Sequence, residues 1–359
     1  MSGAKMKAAV LYGREDVRIE QVEVPRLEPG DVLLRTQVAL TCGTDAKVFR
    51  RGYHAKMIVP PAVFGHEVAG LVEAVGPGGE APALGTPVVA ANSAPCGECY
   101  FCRHETPSLC DDLLFWNGAY AEFARIPARV VRKNLLALPD GLAFRDAAMV
   151  EPLACVVRGV EESWIGRGQS VAVIGTGPIG LMFVALARMR GAHVVASGRR
   201  RERLDKAIEM GAEQVVSAGH PHPLAEALRE RSPDRRGFDV VIEAVGLPET
   251  CEAAIQSVRK GGVVQLFGGC PVDTRIGIDS QRLHYQELTI KSTFHHTPES
   301  VRKAFRLIAD GHLDPAAFIT AEAPLEDLPG VLRGMARGGP GLKTAILPWG
   351  TTTRPSVGG

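Results

Sequence analysis

Hydrophobic and polar positions change their pattern along the chain. In the first ~150 residues, short apolar segments lie between Pro and Gly residues, which is typical of strands separated by turns. Strand-like apolar content between these breaks predicts strands at residues 17–24, 31–40 and 63–75. The first part of the chain is therefore predicted to be rich in β-structure.

The pattern changes after about residue 155, where apolar segments alternate with amphipathic ones. Strands are predicted at 169–174, 194–197, 214–217, 238–244, 263–267 and 288–292. Helices are predicted between them at 179–190, 201–210, 224–231 and 249–260. Strands that alternate with helices indicate a parallel sheet covered on both faces. Residues 155–291 are thus expected to form a doubly wound α/β domain.

A further helix is predicted at 299–309, after which the composition returns to many Pro and Gly residues. We infer that residues 1–154 and 292–359 form one discontinuous β-rich domain, into which the α/β unit at 155–291 is inserted. The length of 359 residues agrees with about two domains.

Charge and cysteine content narrow the possible functions. There are 41 basic and 40 acidic residues, so the net charge of +1 gives no support for binding to nucleic acid or an anionic membrane. The N-terminus lacks a secretory signal pattern, and a cytoplasmic location is expected. In a reducing compartment, the eight cysteines indicate metal binding or chemistry rather than disulfides.

A glycine-rich motif for dinucleotide binding follows the strand at 169–174. Its glycines would permit a tight turn, a close approach of the backbone to a pyrophosphate, and close packing of the next helix. The candidate cofactor-binding residues here are Gly175, Thr176, Gly177, Pro178, Ile179 and Gly180.

The end of the second strand indicates which nicotinamide cofactor is bound. NAD-binding proteins place an acidic residue there for the ribose 2′-hydroxyl, but this chain has Ser197 and Gly198 followed by Arg199 and Arg200. A small residue followed by arginines makes room for a 2′-phosphate and neutralises it. Arg203, in the helix that follows, is a further candidate. NADP is favoured over NAD, although the arginines are also compatible with a solvated start of a helix.

Four cysteines occur within fifteen residues: Cys96, Cys99, Cys102 and Cys110. Such a cluster is typical of a closed tetrahedral zinc site, in which all four ligands are thiolates and no position is left for a substrate. An iron–sulfur cluster is the alternative. The predicted zinc is structural.

A second set of potential ligands is spread over three segments that contain Cys42, His66 with Glu67, and Glu151. These residue types are good zinc donors. Each also has an ordinary explanation as a buried cysteine, a core histidine or a carboxylate at the start of a helix. The spacing of these residues in the sequence does not by itself show that they form one metal site.

The order of these motifs resembles that of the zinc-dependent medium-chain dehydrogenases. Cys-Gly-Thr-Asp, Gly-His-Glu, the four cysteines, Glu-Pro-Leu and the glycine-rich loop follow one another in the order of that family, and the resemblance covers residues 6–349. Glutamate in Glu-Pro-Leu makes the chain most similar to the sorbitol and threonine dehydrogenase branch. Gly198 departs from the acidic residue that most members of that branch have.

The resemblance implies a GroES-like catalytic domain, a Rossmann domain and two zinc ions per chain. Cys42 and His66 would bind the catalytic zinc, with Glu67 or Glu151 as a third protein ligand. Thr44 matches the hydroxyl that passes on the substrate proton, and Asp45 would support the site or act structurally. Members of the family are commonly homo-oligomers, either tetramers or dimers.

The implied activity is the reversible oxidation of a secondary alcohol, such as a polyol, sugar or amino alcohol, with transfer of hydride to a nicotinamide cofactor. An NAD-dependent enzyme similar to L-threonine 3-dehydrogenase is the alternative. A catalytically inactive, zinc-containing binding protein and a zinc-braced nucleic-acid-binding module are more remote possibilities.

Overall fold

A computed structural model describes residues 3–54, 57–219, 223–339 and 341–350. The chain divides into two compact units, one of Met1–Ala154 with Thr297–Gly359 and the other of Cys155–His296. The strands are β1 (Lys5–Gly13), β2 (Asp16–Glu23), β3 (Val32–Leu40), β4 (Ala62–Val63), β5 (Glu67–Val75), β6 (Pro87–Ala90), β7 (Ser93–Ala94), β8 (Leu114–Phe115), β9 (Phe123–Ile126), β10 (Leu135–Ala137), β11 (Ser170–Ile174), β12 (His193–Gly198), β13 (Gln214–Ser217), β14 (Phe238–Glu243), β15 (Val258–Leu266), β16 (Thr289–Lys291), β17 (Ile319–Pro324) and β18 (Lys343–Leu347).

The α-helices differ widely in length. They are α1 (Gly43–Arg51), α2 (Tyr100–Arg103), α3 (Ala128–Asn134), α4 (Phe144–Ala147), α5 (Val150–Glu162), α6 (Pro178–Met189), α7 (Arg201–Glu209), α8 (Leu224–Arg229), α9 (Pro248–Ser257), α10 (Ser280–Tyr285), α11 (Pro298–Ala309) and α12 (Leu328–Ala336). Within the described residues, none is both long and apolar enough to cross a membrane.

The second unit contains the parallel sheet that the sequence predicts. Its described strands follow the order β13-β12-β11-β14-β15-β16, and every pair is parallel. All five residues of β11 are buried, which explains its continuous apolar sequence. The strand order reverses at β11, between β12 and β14, and ligands bind at such a point in doubly wound folds. The α/β fold class is confirmed.

One predicted helix, at residues 249–260, is too long. Helix α9 ends at Ser257, and the next residues belong to β15, in which Val258 pairs with Phe238. Arg259 and Lys260 followed by glycine resemble the end of a helix in sequence. Pairing with β14 and burial of Val258 outweigh that local preference.

The second predicted domain boundary, at 291/292, lies five residues before the division at 296/297. Residues after β16 remain bound to the α/β unit. Gln265 Nε2 donates to Thr293 Oγ1, and Arg158 Nη1 donates to the carbonyl oxygens of Phe294 and His295 at 2.6 and 3.2 Å. These long-range contacts have no sequence signal at the boundary. The first boundary, at 154/155, coincides with the division.

One sheet of the first unit joins strands from both of its sequence segments. Along one edge β3 pairs with β5, and along the other it pairs with β9 and with β18 near the C-terminus. Buried residues from β3, β5, β6 and α12 contribute to its main hydrophobic core. The β-rich first unit is therefore discontinuous in sequence.

The single strand predicted at 63–75 is interrupted in the structure. Strand β4 ends at Val63 and β5 begins at Glu67. Between them Gly65 has a φ of +94°, and a Cβ on this residue would lie 2.6 Å from the Tyr120 ring. Only glycine fits this position. The break places His66 directly before β5 and Glu67 at its first position.

Candidate active site

The segment at Cys42 begins the candidate metal site. Cys42 has an extended backbone and directly precedes α1, and its N–H donates to Asp45 Oδ2 at 2.8 Å. Asp45 is buried in the first turn of the helix, where a carboxylate also interacts favourably with the helix dipole. The hydrogen bond fixes the backbone of Cys42 relative to α1.

Asp45 also orients His66. Its Oδ1 lies 3.3 Å from His66 Nδ1, and both side chains are buried. A carboxylate on one ring nitrogen leaves the other available as a metal ligand and sets the orientation of the ring. Burial disfavours the charged imidazole, but Asp45 and Cys42 together outweigh burial and hold the pKa of His66 well above its usual value.

The structure brings the predicted donors of Cys42, His66 and Glu67 together. One ligand atom from each lies within 4.8 Å of the others. Sulfur, imidazole nitrogen and carboxylate oxygen are all established zinc donors, with bond lengths of about 2.0–2.3 Å. The three residues fit a zinc ion.

Glu151 lies outside this group of three, in the first turn of α5. Burial raises the pKa of its carboxyl to about 7, with His66 lowering and Glu67 raising that value. Glu151 is thus close enough to interact electrostatically with both residues.

Lys343, which sequence reasoning missed, neutralises Glu67. Its Nζ lies 2.7 and 2.5 Å from the two Glu67 carboxylate oxygens and donates to Thr41 O at 3.0 Å. Both side chains are buried. Burial alone would lower the pKa of Lys343, but Glu67 and Cys42 outweigh it and raise that pKa. The lysine therefore favours the ionised carboxylate of Glu67, which is itself one of the three candidate ligands.

Tyr120 is a second residue that sequence reasoning missed. Its buried hydroxyl lies 2.6 Å from Asp45 Oδ2 and 3.1 Å from Leu40 O, and its single hydrogen is shared between these two acceptors. Its ring packs edge-on against Phe64, with centroids 5.0 Å apart. Tyr120 thereby holds the carboxylate that orients His66.

Thr44 is the remaining candidate of this segment. It is half-buried in the first turn of α1, two residues after Cys42. The Asp45 carboxylate contacts the backbone N–H of Cys42, the ring of His66 and the hydroxyl of Tyr120. The geometry therefore gives Asp45 a positioning role.

The other predicted metal site also assembles. The ligand atoms of Cys96, Cys99, Cys102 and Cys110 all lie within 4.8 Å of one another. Three Sγ–Sγ separations are 3.9 Å (Cys96–Cys102), 3.8 Å (Cys99–Cys110) and 3.4 Å (Cys96–Cys110). A tetrahedral zinc with Zn–S bonds of ~2.3 Å requires separations of ~3.8 Å. The spacing fits a single ion better than an iron–sulfur cluster of several atoms.

Backbone N–H groups turn toward these sulfur atoms. Gly97 donates to Cys102 Sγ at 3.3 Å, and Cys96 donates to Cys110 Sγ at 3.2 Å. The N–H groups of Glu98 and Cys99 lower the pKa of Cys96 to about 6. Burial, in contrast, raises the pKa of Cys102 and raises that of Cys110 to about 12, so the backbone alone does not favour all four thiolates and a bound cation would be needed for the other two.

A cavity of about 590 Å³ lies at the carboxyl ends of β11, β12 and β14 in the second unit. The predicted residues Gly175, Thr176, Gly177, Ser197, Gly198, Arg199, Arg200 and Arg203 line it. Pro178, Ile179 and Gly180 form the first turn of α6 instead.

The glycines of this loop have distinct roles. Gly175 has a φ of +110°, and a Cβ on Gly180 would lie 1.7 Å from Gly175 O. A Cβ on Gly177 would meet no atom within 4 Å, so the cavity is open beside the start of α6. The N-terminus of this 12-residue helix and the open backbone fit a pyrophosphate.

Polar groups at the end of β12 also fit a ligand. Ser197 Oγ is buried and has no hydrogen-bond partner among the described residues. Burial, together with the nearby charges of Arg200 and Arg199, lowers the pKa of Arg203. Three guanidinium groups that repel one another would be stabilised by an anion.

Glu243, which sequence reasoning also missed, stabilises the opposite wall of the cavity. Its Oε1 accepts from the N–H groups of Val245 and Gly246, both at 2.8 Å, and from Thr250 Oγ1 at 2.7 Å. The only sequence signal was its position at the end of a predicted strand. Glu243 fixes the turn between β14 and α9 that borders the cavity.

Known families match both parts of the chain. The alcohol dehydrogenase GroES-like domain matches residues 28–140, and the zinc-binding dehydrogenase family matches residues 178–310. The chain belongs to the zinc-dependent medium-chain alcohol and polyol dehydrogenases, and it is an oxidoreductase that acts on CH–OH groups.

Individual relatives extend along most of the chain. L-threonine 3-dehydrogenase of Pyrococcus abyssi is 34% identical over 325 residues, which cover 88% of this chain and 90% of the relative. Sorbitol dehydrogenase of Bacillus subtilis is 28% identical over 328 residues, covering 89% and 91%. An NADP-bound structure from Sinorhizobium meliloti, described as a zinc-binding dehydrogenase, superimposes with a TM-score of 0.87 at 29% identity, covering 96% of this chain and all of the other.

Proposed function

We propose that this protein oxidises a secondary alcohol, namely a polyol, sugar or amino alcohol, reversibly to the carbonyl compound, with NADP as the hydride acceptor. The observation that carries the proposal is the convergence of Cys42, His66 and Glu67 donor atoms within 4.8 Å. Membership of a family of zinc-dependent alcohol dehydrogenases supports it.

We propose two zinc ions per chain, a structural one held by the four-cysteine cluster and a catalytic one. Cys42 and His66 would bind the catalytic ion, together with Glu67 or Glu151. Zinc in this site would supply a Lewis acid that stabilises negative charge as it develops on the substrate oxygen.

The surrounding residues orient the candidate ligands and set their charge. Asp45 sets the orientation of His66, and Tyr120 holds Asp45. Lys343 keeps Glu67 ionised in a buried position. Thr44 is proposed to accept the proton of the substrate hydroxyl and pass it to solvent, which its half-buried position near Cys42 supports.

The preference for NADP is supported by the lining of the cavity. Arg199, Arg200 and Arg203 surround the end of β12, and Gly198 stands where NAD-binding proteins have an acid. The acidic lining residues Glu249 and Glu252 belong to α9, on the opposite wall. The NADP bound to the Sinorhizobium meliloti relative is consistent with this preference.

The alternative is an NAD-dependent enzyme similar to L-threonine 3-dehydrogenase, which the 34% identity to the Pyrococcus abyssi protein favours. The arginines beside Gly198 favour NADP instead. A homo-oligomer is also proposed, because β16 is a terminal strand of the parallel sheet and, among the strands of the described residues, pairs only with β15.

A paired turnover assay tests the proposal. Purified protein of known zinc content is given polyols, sugars, amino alcohols and simple secondary alcohols with NADP or NAD. We expect NADP reduction with a polyol, sugar or amino alcohol, and loss of at least ~100-fold in His66→Ala. His193→Ala, an exposed histidine paired with Glu213, is the matched control and should retain activity.

Other outcomes separate the alternatives. Turnover of L-threonine with NAD would support the threonine dehydrogenase alternative and contradict the NADP preference. Binding of zinc and NADP without turnover of any substrate would support an inactive binding protein.

A further inference from the structure

Thr176 occupies the space beside Gly198 in the cofactor cavity. A Cβ on Gly198 would lie 2.0 Å from Thr176 Oγ1 and 3.1 Å from both Thr176 Cβ and Cγ2. The first distance is far shorter than any contact between non-bonded atoms. While Thr176 is present, residue 198 can carry a side chain only if one of the two moves.

Neither residue can move easily. Thr176 is 5% exposed, and its branched side chain has few allowed rotamers. Gly175, its neighbour, donates to Ser197 O at 2.8 Å, which ties the loop to β12. On the other side Gly198 pairs with Ser217, and its carbonyl accepts from Ala218 N at 2.8 Å. The contact is held between two fixed backbone segments.

We propose that Thr176 is a specificity-determining residue, because its side chain excludes a carboxylate from position 198 and so keeps the end of β12 open for a 2′-phosphate. This inference rests on the proposed NADP-dependent function. An acid at residue 198 would both collide with Thr176 and repel the phosphate. Exchange of the cofactor would therefore require two substitutions, one on each side of the contact.

Thermal unfolding without cofactor tests the steric part. Gly198→Ala should lower the melting temperature by roughly 3–8 °C in the native background, because overpacking a buried site strains it. In a Thr176→Ala background the same change should cost less than half as much. Gly177→Ala is the matched control, since its Cβ meets no atom within 4 Å, and should shift the melting temperature by no more than ~2 °C. Equal losses in both backgrounds would overturn the proposal.

Cofactor binding tests the specificity part, by calorimetric titration of NADP and NAD. Gly198→Asp alone should weaken both cofactors by at least ~10-fold, because the strained loop distorts the site. The double variant Thr176→Ala/Gly198→Asp should bind NAD better than either single variant and shift the NAD-to-NADP preference by about 100-fold. If Gly198→Asp alone shifts the preference as far as the double variant, the role of Thr176 is wrong.

The two proposals fail in distinguishable ways. Tighter binding of NAD than NADP by the unaltered protein would overturn the NADP assignment, and with it the specificity role of Thr176. Retained NADP preference, with equal effects of Gly198→Asp in both backgrounds, would overturn only the role of Thr176.

Discussion

Replacement of Lys343 by methionine should destabilise the first unit strongly. The side chains of Lys343 and Glu67 are 2% and 0% exposed, and the three N–H groups of the ammonium have three acceptors, the two Glu67 oxygens and Thr41 O. Methionine retains the length of the side chain but leaves the carboxylate buried without its cation. Breaking a buried ion pair in this way costs about 3–5 kcal/mol.

For a unit of about 200 residues, 1 kcal/mol corresponds to roughly 2–4 °C in melting temperature. Lys343→Met should therefore lower the melting temperature by about 6–20 °C, measured by calorimetry at matched zinc content. Lys7→Met is the matched control, because Lys7 pairs with Glu326 at a partly exposed position of the same unit. The control should cost no more than ~1 kcal/mol.

The loss should also depend on pH in a definite direction. Burial already raises the pKa of Glu67 above 4.5, with Lys343 opposing that effect. Without Lys343 the Glu67 carboxyl should bind a proton more readily. The loss of stability in Lys343→Met, relative to the unaltered protein, should therefore be smallest in acid and increase as the pH rises above 4.5. This reasoning would be refuted if Lys343→Met lost no more stability than Lys7→Met, or if its loss of stability grew toward acid pH.

Three further substitutions test the remaining sites. Tyr120→Phe removes the hydroxyl that holds Asp45, and should weaken zinc binding at the adjacent site by about 10–100-fold in a chelator competition. Cys102→Ser should remove the zinc of the four-cysteine cluster, with about one zinc per chain lost in metal analysis and a lower melting temperature; unchanged zinc content would contradict that ligand set. Arg200→Ala should raise the Kd for NADP by about 10–100-fold and leave that for NAD nearly unchanged. Arg201→Ala, an exposed residue outside the cavity lining, should change neither Kd.

The fold was predictable where local pattern and tertiary structure agree. The strand at 169–174 and the helix at 179–190 are each found within one residue, because β11 is buried along its whole length and α6 follows a glycine turn. The prediction was wrong where long-range pairing decides the structure. Residues 258–260 have the local features of a helix end, yet they lie in β15.

The candidate ligands were recognised through motifs, but the residues that support them were not. Lys343 contacts Glu67 across 276 positions of sequence, and Tyr120 contacts Asp45 across 75. A local sequence pattern cannot predict such contacts. The pairing of β18 with β3 brings Lys343 to Glu67, and the turn at Gly65 makes room for the ring of Tyr120. The exclusion of a side chain at Gly198 by Thr176 likewise appears only in three dimensions.

The central proposal is that Cys42 and His66 would hold a zinc ion that supplies Lewis-acid chemistry at the substrate oxygen, separately from the four-cysteine cluster. Zinc analysis and turnover of Cys42→Ala test it most directly. We predict about one zinc per chain, NADP binding within ~3-fold of the unaltered protein, and a fall in turnover of at least ~1,000-fold. Two zinc ions per chain, or turnover within tenfold of the unaltered protein, would contradict the account.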